Sequence, residues 1–170
     1  MTEDVGFFDA GFFNLSTDAA SAMDPQLRLL LESVNEAFEN GRRPHMSQMQ
    51  DLCLLFDTAG IPLEKAAGSE TSVYTGVYGK DYHELQTRDP DALPAAFLTG
   101  NGTAMLSNRV SHFYDLQGAS MTIDTGCSSG LVSLHQACHS ILSGESEMSV
   151  VGASSTILNP DLYIAMSTLR

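Results

Sequence analysis

Basic side chains are scarce: 8 of the 170 residues are Lys or Arg, against 21 Asp and Glu, for a formal net charge of -13. That imbalance argues against a non-specific grip on nucleic acid or anionic lipid, which needs clustered positive charge. Cysteine is also sparse. Cys53, Cys127 and Cys138 form an odd set that fits thiols in a reducing compartment, and hence the cytoplasm, better than a secreted disulfide scaffold. No apolar run approaches membrane-spanning length, and the opening MTEDVGFFDAGFFN lacks the basic segment and apolar core of a signal peptide. Internal repeats and low-complexity stretches are missing too. What is present is ordinary for one soluble α/β domain, 43% hydrophobic and 17% charged, and enough to bury a core.

Phe7, Phe8, Phe12 and Phe13, with turn formers between them, predict an aromatic-anchored loop over residues 5–22 that packs on the core. Asp24-Pro25 is a helix start, an N-cap oxygen followed by a proline in the first turn. Leu27, Leu30, Leu31, Val34 and Phe38 continue it at helical spacing to about Asn40. Residues 71–79, TSVYTGVYG, read as a buried strand, and Asp89-Pro90 and Leu93-Pro94 punctuate a loop. A second amphipathic helix is expected from Thr103 to about Asp115. A short strand from Met121 to Asp124 then leads into Gly126 and Cys127.

After Cys127, the spacing of Leu131, Leu134, Cys138, Ile141 and Leu142 by threes and fours predicts a helix of about four turns, with Cys138 facing the core. Gly144 supplies its C-terminal stop. Residues 148–153, MSVVGA, complete a β-α-β unit over 120–153 with its cysteine at the strand-to-helix turn.

A cysteine at the start of a helix lies beside free backbone N–H groups and the positive end of the macrodipole, a setting that favours a nucleophilic thiolate. Position alone leaves open a buried small hydrophobe. The surrounding residues decide. The run from Thr122 to Cys138, TIDTGCSSGLVSLHQAC, resembles the nucleophile signature of polyketide ketosynthases, DTACSSSLVALHxAC, with Gly126 in place of alanine as in the fungal highly reducing type. Met23 to Arg28 resembles the family's MDPQxR, Ser107 to Ser111 its NRIS element, and residues 142–160 the stretch after the nucleophile helix. On these motifs the chain is identified as part of a β-ketoacyl synthase (ketosynthase) domain of an iterative type I polyketide synthase.

The resemblance implies a thiolase-like α/β fold, two similar halves each with a five-stranded mixed sheet, of which this chain is mostly the N-terminal half. It implies acyl transfer to Cys127 and decarboxylative Claisen condensation with a malonyl unit, with the Cys127 amide as one oxyanion donor. It implies no directly bound cofactor, since acyl and malonyl thioesters ride on the phosphopantetheine of an acyl carrier protein. The implied partners are the carrier and acyltransferase domains of the same synthase and a second copy of the chain, a homodimer paired through the strand before Cys127. Two histidines of the family lie in motifs resembling EGTGTxxGD and NxGH, which this sequence does not contain. His135 and His139 would sit about 12 and 18 Å along the helix from Cys127, out of hydrogen-bond reach. His135 fits a packing role. Cys127 and Cys138, about 16 Å apart by helix rise, are too far for a disulfide, whose Cα atoms rarely exceed about 7 Å.

Two rivals stand beside this reading. GCSSG at 126–130 also satisfies G-x-S-x-G, which would make Ser128 the nucleophile of a serine hydrolase, but no histidine follows His139 to complete a triad. The second is a non-catalytic fragment of a larger synthase. The aromatic opening and the abrupt end at YIAMSTLR predict a domain truncated at both ends, and an isolated chain that does not condense. Residues 41–58, GRRPHMSQMQDLCLLFDT, interrupt the family pattern and read as an insertion or an in-frame retained intron.

Overall fold

The computed structural model describes residues 6–40 and 63–169; the expected insertion at 41–58, with Cys53 and His45, lies outside them. Ser16 caps α1 (Thr17–Ala22) by accepting from the Ala19 amide at 3.2 Å. The sequence-expected loop over 5–22 therefore holds a short helix, announced by a Ser N-cap and an acidic first turn. The aromatic anchoring holds for Phe8, Phe12 and Phe13, which pack on one another and on Phe113, but not for Phe7, which is 81% exposed and does not pack on the core as expected.

Asp24 starts α2 (Pro25–Asn40), its carboxylate accepting from the Gln26 amide at 2.8 Å. One face of α2 buries Leu27, Leu30, Leu31, Val34 and Phe38. At about 1.5–3 kcal/mol for each large apolar side chain taken from water, this stripe is a main anchor of the helix. The chain continues through α3 (Leu63–Ala66), β1 (Ser72–Val77), α4 (Asp81–Gln86), a 3-10 turn at Pro90–Ala92, α5 (Phe97–Asn101) and α6 (Met105–Phe113). It then forms β2 (Ser120–Ile123), α7 (Ser129–Leu142), β3 (Ser149–Ser154) and α8 (Asp161–Ser167).

Among the described residues three strands make a wholly parallel sheet in the order β2-β1-β3, rather than the five-stranded mixed sheet that the resemblance implies for a complete half. The β-α-β unit expected over 120–153 is thus present, with β1 inserted between its two strands. β1 is buried along its whole length, and its alternating residues serve two cores. Val73 and Val77 join α2 and α6 on one face, while Tyr74 meets Ala137 of α7 on the other. The result is a three-layer α/β arrangement in which the sheet separates α2 and α6 from α7.

The packing of α7 reverses one expectation. Its buried residues are Ser129, Ser133, Ala137 and Ser140, whereas Leu131 is 70% and Leu142 87% exposed, and Cys138 and His135 are exposed. Cys138 therefore does not face the core, and His135 does not take the packing role expected of it. The reason is the close approach of helix and sheet. A Cβ on Gly76 would lie 2.7 Å from the Gly130 nitrogen and the Ser129 carbonyl carbon, so only small residues fit between α7 and β1.

Candidate active site

The three strands end together. Gly76 stands level with Ile123 on one side and Ala153 on the other, and Cys127 follows four residues after β2 ends. Carboxyl ends of parallel strands are where open α/β sheets hold ligands. Five residues, Asp124 to Ser128, carry the chain from β2 into α7, and their hydrogen bonds fix the turn. The Asp124 carboxylate accepts from the Gly126 amide at 3.0 Å, an Asx turn, and Gly126 takes a left-handed φ of 68°. The Thr125 amide donates to Ser129 Oγ at 2.8 Å, and the Ser129 amide donates to the Gly126 carbonyl at 3.1 Å. Ser129 Oγ also lies 2.9 Å from the Val77 carbonyl, which ties the start of α7 to the end of β1.

Cys127 is an exposed free thiol two residues before the first residue of α7. It lines an open depression of about 310 Å³ whose walls include Val77, Tyr78, Gly126, Ala153 and Ser155. The N-terminal amides of α7 and the positive end of its dipole lie beside this depression, where they favour negative charge on a reacting group. Ser128 is differently placed. Its hydroxyl donates to the Thr125 carbonyl at 2.9 Å and pairs with Thr125 Oγ1 at 2.9 Å; among the described residues no histidine hydrogen-bonds it.

Support for the depression comes from residues to which the sequence alone assigns no part in the site. Gln26 is 1% exposed, and its amide nitrogen reaches the Gly79 carbonyl at 3.5 Å while its oxygen accepts from Ser154 Oγ at 3.4 Å. It therefore braces the ends of β1 and β3 against each other. Beside it, burial raises the Asp24 carboxyl above its ordinary value, with hydrogen bonds from Gln26 and the charge of Arg28 pulling the other way. Buried Asp81 accepts from the Leu158 and Asn159 amides at 3.0 and 3.1 Å and so pins the segment that follows Ser155. The chain places 153–155 far in sequence from Cys127, and only the strand register unites them. A strand-end glycine at 76 and the MDPQ motif were the signals available. Of the histidines, His135, His139 and His112 are exposed and His83 packs on the Phe97 ring.

The model of the family described as "Beta-ketoacyl synthase, N-terminal domain" matches residues 1–170. The chain belongs to the β-ketoacyl synthase family. Among curated proteins, it is 53% identical to the squalestatin tetraketide synthase of Phoma sp. over 169 residues, which is 99% of this chain. It is 52% identical to a highly reducing polyketide synthase of Leptosphaeria maculans over 166 residues, or 98% of the chain. It spans only 6% of the length of either relative. Among solved structures, the ketosynthase from module 6 of the Bacillus subtilis bacillaene synthase matches with a TM-score of 0.76 and 28% identity, covering 98% of this chain and 24% of that one. The thiolase-like α/β fold expected from the motifs is therefore the fold of this ketosynthase chain. None of these matches supports the serine-hydrolase reading of Ser128. Among the described residues no helix is long and apolar enough to cross a membrane.

Proposed function

We propose that this chain supplies the nucleophile half of a ketosynthase site in an iterative polyketide synthase, with Cys127 as the acyl acceptor. The observation that carries the proposal is an exposed thiol in an open depression, at the carboxyl ends of parallel strands and beside a helix N-terminus. The Cys127 sulfur, as thiolate, attacks the carbonyl carbon of an acyl thioester on the phosphopantetheine of an acyl carrier protein. The tetrahedral oxyanion is held by backbone N–H donors, of which the Cys127 amide is one. Collapse breaks the bond to the pantetheine sulfur, which leaves with the electron pair and takes up a proton. In the second half-reaction a malonyl thioester loses carbon dioxide. The electrons of its broken C–C bond form an enolate whose carbon attacks the Cys127 thioester, and the cysteine sulfur departs as thiolate.

The curated relatives are named as a tetraketide synthase and a highly reducing polyketide synthase, which supports a carrier-bound acyl chain as substrate and carrier and acyltransferase domains as partners. β2 lies at an edge of the sheet with Met121 45% exposed, which supports pairing with a second copy through Ser120–Ile123. Residues 1–170 form part of one ketosynthase domain in this reading, with 41–58 an insertion or a retained intron; mature messenger RNA carrying those codons in every copy would rule out the intron. The activity is tested in a synthase carrying this chain, by mass detection of the β-ketoacyl product from acyl and malonyl carriers. Cys127→Ala abolishes product on this account, and product made at the native rate by that variant would refute it.

A further inference from the structure

We propose that Gly126 determines which acyl groups Cys127 accepts, by leaving room on the Tyr78 side of the depression for a branch next to the thioester carbonyl. The inference rests on Cys127 being the acyl acceptor. Three glycines line the depression, and packing explains two of them. A Cβ on Gly76 would strike the backbone of α7 at 2.7 Å, and one on Gly130 would meet the Ala153 Cβ at 3.1 Å. Gly126 is different. A Cβ there would meet a single heavy atom within 4 Å beyond its chain neighbours, Tyr78 Cε2 at 4.0 Å. The missing methyl is thus not filled by protein.

The left-handed φ of 68° favours glycine but does not demand it, since such single residues also accommodate Asn or Asp. The motif this turn resembles carries alanine in the same place. What glycine adds is space, bounded by the Tyr78 ring and immediately before the cysteine in the chain. A methyl group fits there with no contact closer than the 4.0 Å to Tyr78 Cε2, so the chemical class the space suits is an α-branched acyl thioester. An unbranched chain does not need it. Discrimination by one methyl in an apolar pocket is about 10- to 200-fold.

The test is made in a synthase carrying this chain, measuring kcat/KM for transfer of an α-methyl-branched and a straight-chain acyl pantetheine thioester, with the adduct located by tandem mass spectrometry. Gly126→Ala is expected to lower the branched-to-straight ratio about tenfold or more. Backbone strain alone would slow both substrates alike. The double variant Gly126→Ala with Tyr78→Ala, which reopens the same wall from the other side, is expected to recover most of the ratio. Label on Cys127 with an unchanged ratio in Gly126→Ala overturns the inference alone. Label on another residue overturns the acyl-acceptor reading and the inference with it.

Discussion

Gly76→Ala tests whether the contact between β1 and α7 positions the nucleophile. The added Cβ would lie 2.7 Å from both the Gly130 nitrogen and the Ser129 carbonyl carbon and 2.9 Å from the Ser129 oxygen, all of them backbone atoms that no side-chain rotation can remove. To restore an ordinary contact of 3.4 Å, the first turn of α7 must retreat by about 0.7 Å, the kind of forced shift that costs about 1–3 kcal/mol in a packed core. Cys127 precedes that turn, and Ser129 Oγ links it to Val77 and Thr125, so the sulfur moves with it. A misplacement approaching 1 Å at a reacting centre can lower a rate by up to about a hundredfold. The expected result in a synthase carrying this chain is therefore a lower melting temperature together with a tenfold to hundredfold slower acylation of Cys127. The control is Gly11→Ala, whose Cβ would meet only Asp9 Oδ1 at 3.5 Å and which lies outside the depression. Native stability and native acylation in Gly76→Ala would refute the reasoning, because the strand-helix contact would then not be tight.

Asp81→Ala removes the acceptor of the Leu158 and Asn159 amides; hydrogen exchange at those two amides should quicken by an amount corresponding to about 1.5–3 kcal/mol per charged hydrogen bond, and unchanged protection would show that Asp81 does not pin the segment. Asp24 binds its proton more tightly folded than unfolded, because burial outweighs its hydrogen bonds, so from the ordinary value of 3.8 up to its raised folded value stability falls as pH rises. Asp24→Asn keeps an oxygen for the Gln26 amide and should flatten that part of the stability-pH curve; an identical slope in both proteins would contradict the shift. The isolated 170-residue chain, with Leu131, Ile141 and Leu142 of α7 exposed, should bind a hydrophobic dye or aggregate and form no β-ketoacyl product, and a monodisperse, dye-silent, condensing chain would refute this.

The longer elements around the site were legible in the sequence because each carries a strong local signal. The Asp24-Pro25 start and the leucine spacing mark α2, β-branched residues mark β1 and β3, and the glycine at 144 with φ 75° closes α7. The facing of α7 was not legible. Periodicity assigns the largest apolar side chains to the core, but a helix held against β1 at Gly76 can present only Ser129, Ser133, Ala137 and Ser140 there, leaving Leu131 and Cys138 outward. Short helices such as α1, α4 and α8 escape periodicity because six or seven residues make fewer than two turns. Within the site, the turn at Asp124 to Ser128 was readable as a local motif. Its partners at Tyr78 and Ser155 were not, since parallel register between distant strands leaves no local trace, and Gln26 was marked only as part of the MDPQ motif, with nothing to show that it braces the strand ends.

The central claim is that Cys127 accepts the acyl chain, and a single-turnover reaction tests it most directly. A synthase carrying this chain is mixed with a pantetheine-linked acyl thioester, quenched before condensation, and the adduct is located by tandem mass spectrometry. The account predicts one acyl group on Cys127, none on the exposed thiol of Cys138 or on the neighbouring Ser128, and no adduct in Cys127→Ser under the same conditions. An acyl group found on Ser128, or one that persists elsewhere on the chain in the Cys127 variant, would contradict it.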